Sequence, residues 1–173
     1  MTKYIHTTFG SREVLSALRE KHLDRPIHLS VQDDDRSRYQ LIELTENSKS
    51  VFAMASSYRV LDATGDDETL RGCMMFTFIT LNDQERDNFI RRYHAFNRQA
   101  EPNIDGAIAS FLLQRTDNDH EIAILSTWQT KEKWAKWHNS ASFPLIRYEN
   151  PNSRYNLRRI AYTFAAFTKQ AKA

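Results

Sequence analysis

One cysteine, four glycines and four prolines among 173 residues leave little material for several common kinds of site. Cys73 has no second cysteine to pair with and lies in an apolar, strand-like run, which predicts a buried, unreactive thiol in a reducing interior. The glycines are scattered rather than gathered into a phosphate-cradling loop, so nucleotide binding is not expected. No apolar run approaches the length of about 20 residues that a membrane helix needs, and Met1 to Gly10 lacks the apolar core of a signal peptide. The expectation is a cytoplasmic protein with no membrane partner. An excess of one charge is missing too, since 24 Lys and Arg stand against 22 Asp and Glu. A nucleic-acid partner is therefore not expected, because such binding rests on neutralising many phosphates.

What the chain does have is a clear alternation of strand and helix patterns. Lys3 to Phe9 reads as a strand, Gly10-Ser11 as punctuation, and Val14, Leu15, Leu18 and His22 as one face of a helix that Pro26 stops. Ile27 to Val31 and Tyr39 to Leu44 are strand-like around the acidic turn Gln32-Asp33-Asp34-Asp35, and Tyr58 to Leu61 adds a third short strand. Residues 1–65 thus form an N-terminal β-α-β-β-β half. The polar stretch Gly65-Asp66-Asp67-Glu68 marks the boundary.

A second pattern follows over residues 72–168. Met74 to Leu81 is an apolar strand, and Asn82 with Glu85 has capping-box spacing for a helix that runs to about Ala100, with Phe89, Tyr93, Phe96 and Ala100 on one face. Pro102 and Gly106 end it. Ala107 to Leu113 and Glu121 to Trp128 make a hairpin around Asp117-Asn118-Asp119. Thr130 caps a short helix, and Asn156 to Phe167 supplies a final long strand. The order β-α-β-β-α-β predicts a ferredoxin-like α+β fold, with helices on one face of an antiparallel sheet and the other face apolar. That open face needs cover. The N-terminal half has strands enough to supply it, which predicts a dimeric α+β barrel closed within one chain as a pseudo-dimer; a homodimer is the alternative.

Candidate chemistry concentrates in one stretch. All three tryptophans, Trp128, Trp134 and Trp137, fall within ten positions where a strand gives way to a helix. Trp134 and Trp137 share a helix face, as a platform for a flat ligand or as core. His6, His22, His28, His94 and His120 are isolated in sequence, so no metal site is expected. Asp33, Asp34 and Asp35 lack the spacing of a calcium loop. Arg154, Arg158 and Arg159, beside Tyr155 and Tyr162, form a solvated basic face or a holder for the acidic groups of a ligand.

Trp134, Trp137, Ser140 and Phe143, spaced by threes after the strand Ile122-Ala123-Ile124-Leu125, resemble the motif of the antibiotic biosynthesis monooxygenase family. The resemblance runs from Cys73 to about Phe167. With a leading strand and helix like Lys3 to Leu18, the whole layout is similar to the extended heme-degrading monooxygenases of firmicutes and to the target of RNAIII-activating protein. The resemblance implies a small flat aromatic ligand, heme as both substrate and cofactor, packed on Trp137 and oxidised with oxygen. It implies an iron-ligating histidine ten residues beyond Trp137, where this sequence has Arg147, and a distal asparagine on the first strand, which falls at Thr77 or Phe78. Arg147 is then a candidate partner for a ligand carboxylate, Trp134 a second wall, and His138 a replacement ligand only if the backbone shifts. The competing expectation is a non-catalytic ligand-binding or stress and signalling protein that keeps the fold.

Overall fold

Strands whose side chains alternate between two apolar faces must be covered on both sides, and this chain meets that need by curling its sheet into a closed barrel. The computed structural model describes residues 1–99, 104–140, 143–149 and 154–168. The elements are β1 (Tyr4–Gly10), α1 (Arg12–Glu20), β2 (Ile27–Gln32), β3 (Tyr39–Thr45), β4 (Ser56–Gly65), β5 (Cys73–Thr80), α2 (Asp83–Gln99), β6 (Ala107–Arg115), β7 (Glu121–Trp128), α3 (Lys131–His138), a 3-10 turn over Ile146–Tyr148 and β8 (Arg158–Phe164).

The strands close in the order β1-β3-β2-β8-β5-β7-β6-β4, each antiparallel to its neighbours. Cut where β2 meets β8 and β4 meets β6, the ring yields β4-β1-β3-β2 and β8-β5-β7-β6. Each is the fourth, first, third and second strand of its own half. The chain is thus a ferredoxin-like α+β fold whose two halves complete one barrel, the intrachain arrangement expected from the open sheet face.

Alternation then sorts the side chains. Ile5, Ile42, Tyr58, Met74, Phe76, Phe111, Leu125 and Tyr162 fill the barrel interior. Burial of each large apolar side chain contributes about 1.5–3 kcal/mol. Ile79, Leu112, Ile122 and Ile124 face outward beneath Phe89 and Tyr93 of α2. Over the N-terminal half, α1 brings Leu15 onto Ile27, Leu29 and Leu41, and the loop residue Phe52 packs there as well, where the other half has a second helix.

Local chemistry starts the helices as the sequence indicates. Ser11 Oγ accepts from Val14 N–H at 3.2 Å, Asn82 Oδ1 from Glu85 N–H at 2.9 Å, and Thr130 Oγ1 from Lys133 N–H at 3.2 Å. Two strands differ most from expectation. The strand read as Tyr58 to Leu61 runs from Ser56 to Gly65, because a bulge between Val60 and Asp62 breaks the alternation without ending the pairing to β6. The strand read as Asn156 to Phe167 is only Arg158–Phe164. Asn156 adopts a left-handed φ of 45° that extended pairing cannot accommodate. Ala100 and Pro102, read as the end of α2, lie outside the described residues. Among those residues no helix is long and apolar enough to cross a membrane.

Candidate functional site

The gap between the outer sheet face of the C-terminal half and the helices above it holds a cavity of about 460 Å³. Its floor comes from β5, β6 and β7, through Thr77, Ser110, Ile124 and Ser126. Its walls are aromatic. Trp128 ends β7 and is almost fully buried, and its ring centroid lies 5.2 Å from that of Trp137 on α3. Phe143 stands edge-on to Trp137 at 4.9 Å, and Tyr93 and Phe96 of α2 face the cavity from the other side. The three-residue spacing of Trp134 and Trp137 brings both to this wall. Trp137 Nε1 is buried and has no hydrogen-bond partner among the described residues.

The polar side chains at the cavity are mostly committed to the protein. Trp128 Nε1 donates to Ser126 Oγ at 2.9 Å, and Tyr93 Oη pairs with Ser110 Oγ at 3.3 Å. Asn97 Nδ2 donates to Asp62 Oδ2 at 2.8 Å, and His94 Nδ1 donates to the same oxygen at 2.9 Å. The β4 bulge is what places Asp62 beneath α2.

Thr77 and Phe78 part company as neighbouring strand residues must. Thr77 lines the cavity and is buried, while Phe78 packs inside the barrel, stacked on Phe76 at 4.6 Å with the Arg158 guanidinium over it at 5.2 Å. Phe78 is therefore not a pocket residue, which corrects that half of the expectation. Two further candidates are not brought to the cavity. Arg147 is exposed on the 3-10 turn with its guanidinium 5.9 Å from the Tyr148 ring, because that turn points it outward. His138 stacks on Trp134 at 4.8 Å, and its Nε2 donates to both carboxylate oxygens of Glu149 at 3.0 and 2.9 Å. Its place on the helix, one residue past Trp137, turns it behind the wall.

Arg159 belongs to the basic cluster that reads from the sequence as a solvated face or a holder for the acidic groups of a ligand. It lines the cavity from β8, donating through Nε to Thr77 Oγ1 at 3.2 Å and through Nη2 to Glu149 Oε1 at 2.5 Å. Its guanidinium lies over Trp134 at 5.2 Å and Phe143 at 5.7 Å. The signal for it was present in part. Arg159 and Tyr162 have opposite parity on one strand, so the arginine must face outward if the tyrosine faces the barrel.

Residues 73–145 match the family model described as Antibiotic biosynthesis monooxygenase. This segment is similar to antibiotic biosynthesis monooxygenase domains. It contains β5, α2, β6, β7 and α3, the elements that build most of the cavity. No curated protein matches the chain.

Solved structures match over nearly its full length. A monooxygenase-like protein from Listeria innocua is 19% identical, with 96% of each chain covered and a TM-score of 0.77. LmHde, a heme-degrading enzyme from Listeria monocytogenes, is 20% identical, with 93% of this chain and 100% of that one covered and a TM-score of 0.70. A structure described as a major regulator of staphylococcal pathogenesis is 14% identical, with 92% and 98% covered and a TM-score of 0.75. At such identities the likeness establishes the shared fold.

The donor set of the cavity does not suit a heme iron. Among the described residues lining it there is no histidine, cysteine or methionine. Tyr93 is the one phenol among them, and burial pushes its pKa up to about 12, so a coordinating phenolate is disfavoured. Arg147, at the ligand's expected place, has no lone pair to offer. Cys73 gives its thiol to the carbonyl of Trp128 at 3.5 Å and does not line the cavity.

Proposed function

We propose that this protein binds a flat aromatic molecule in the cavity beside Trp137, held by its ring face rather than by a metal. The observation that carries this reading is the wall itself. Trp128, Trp134, Trp137 and Phe143 line a space of about 460 Å³, within the range typical of small-molecule sites. A planar ring slid between this wall and Tyr93 and Phe96 of α2 meets aromatic faces and edges, each contact adding about 0.5–1.5 kcal/mol beyond burial. The monooxygenase-like relatives and the heme-degrading enzyme LmHde support an aromatic substrate, and through them an oxygen-dependent oxidation of its ring. Heme itself fits less well, for want of an iron ligand.

A second reading, of binding without turnover, has one observation in its favour. No carboxylate or imidazole is among the described residues lining the cavity, so none of these offers a general base to a ligand. Calorimetric titration with bicyclic and tricyclic aromatics tests the site. Saturable binding in the native protein, weakened about tenfold or more in Trp137→Ala, is the expected result. No saturable binding of any such ring would overturn the proposal. Oxygen uptake with the best ligand then separates turnover from storage.

A further inference from the structure

We infer that the cavity selects aromatic ligands carrying a negative charge, and that Arg159 is the residue that holds it. This deepens the aromatic-site reading and rests on it. Among the described residues lining the cavity, two are charged, Arg98 and Arg159, and both are cations. Arg98 is exposed and marks the edge, whereas the Arg159 side chain is only 17% exposed. Its counter-charge lies to one side: Glu149 is not among the lining residues and divides its oxygens between Arg159 and His138. The cavity therefore sees the guanidinium more directly than the carboxylate.

The hydrogen bonds point the same way. Tyr93, Ser110, Ser126, Asn97 and Thr77 each bond to a partner inside the protein. Arg159 spends Nε on Thr77 and Nη2 on Glu149, and Nη1 has no partner among the described residues. Trp134 and Phe143 pack against its plane and fix its orientation. A carboxylate, phenolate or enolate oxygen on the rim of the bound ring completes that donor, in a largely buried place where a charge-assisted hydrogen bond is strong.

The test is calorimetry on the full chain with two probes of nearly equal shape, naphthalene-2-carboxylate and naphthalene-2-carboxamide, at neutral pH. The expected result is a preference for the carboxylate of about tenfold or more, the size of one charged hydrogen bond. That preference is expected to disappear in Arg159→Gln, the carboxylate losing about tenfold or more in affinity relative to the amide, and to persist in part in Arg159→Lys. If Arg159→Gln fails to fold because Glu149 loses its partner, the double variant Glu149→Gln/Arg159→Gln removes both charges and is measured instead. Equal affinity for the two probes would overturn this inference and leave the aromatic site standing. A carboxylate preference that survives the loss of Arg159 would overturn the assignment to that residue. If neither probe binds while another bicyclic or tricyclic ring does, this inference falls alone; if no ring binds, both readings fall.

Discussion

Arg159 Nε donates to Thr77 Oγ1 across 3.2 Å, linking β8 to β5 on the face that lines the cavity. These are neighbouring strands, in which Thr77 and Arg159 stand directly opposite each other. The link places a fixed cation beside the tryptophan wall and makes Thr77 a support for it. Replacing Thr77 by Val keeps the shape and removes the acceptor, leaving a charged donor unpaired. We expect a loss of about 1–2 kcal/mol in urea unfolding, largely restored in Thr77→Ser, which keeps the hydroxyl.

Trp137 packs at a tilt against Trp128 and edge-on to Phe143 but is incompletely buried, with the cavity on one side. A fully buried aromatic costs about 3–5 kcal/mol when cut to alanine. Trp137→Ala is expected to cost less than about 3 kcal/mol, because part of the ring already lacks neighbours. Chemical denaturation measures this, and a larger loss would mark Trp137 as core.

Asp33 ties the turn after β2 to α3 and β8. Burial pushes its carboxyl pKa up, but hydrogen bonds from Lys131 and Thr163 and the charges of Lys131 and Arg36 outweigh this and hold it below the ordinary value. A pKa depressed by folding contributes stability that is present above the unfolded value and is lost as pH falls through the folded one. Asp33→Asn is therefore expected to be less stable than the native chain by about 1 kcal/mol at pH 7. The gap should narrow as pH drops below about 4. Thermal unfolding over this range checks it, and a gap that stays constant would count against the assignment.

Gly65 ends β4 with φ at 77°, and a Cβ placed there would lie 2.1 Å from the carbonyl oxygen of Ile108. Both the dihedral and the clash oppose any side chain. Gly65→Ala is expected to cost more than about 1 kcal/mol in thermal or urea unfolding and to disturb the β4–β6 edge of the cavity.

Much of the barrel was legible in the sequence because burial on both faces writes itself into strand after strand. The Met74 to Leu81 run and the capped helix after it needed no tertiary information. The bulge at Asp62 and the left-handed Asn156 did, since each is one residue whose conformation is decided by the strands around it. The spacing put Trp134 and Trp137 on one helix face but left a ligand platform and plain core packing undecided. Thr77 and Phe78 could not be told apart, because sliding the face assignment by one residue exchanges them. Arg159 was, for another reason, not singled out from Arg154 and Arg158. Its value comes from Thr77, Glu149 and Trp134, separated from it by 82, 10 and 25 positions, and no local pattern reports such a meeting.

The central claim is that the Trp137 cavity receives a flat ligand by its ring and not through iron. Parallel titration with hemin and with iron-free protoporphyrin IX, followed by absorbance, tests it most directly. The account predicts no preference for iron, with hemin bound no more than about threefold tighter and no Soret shift of the kind produced by a protein ligand. Hemin bound about tenfold or more tighter than the iron-free ring, with a shifted Soret band, would contradict it.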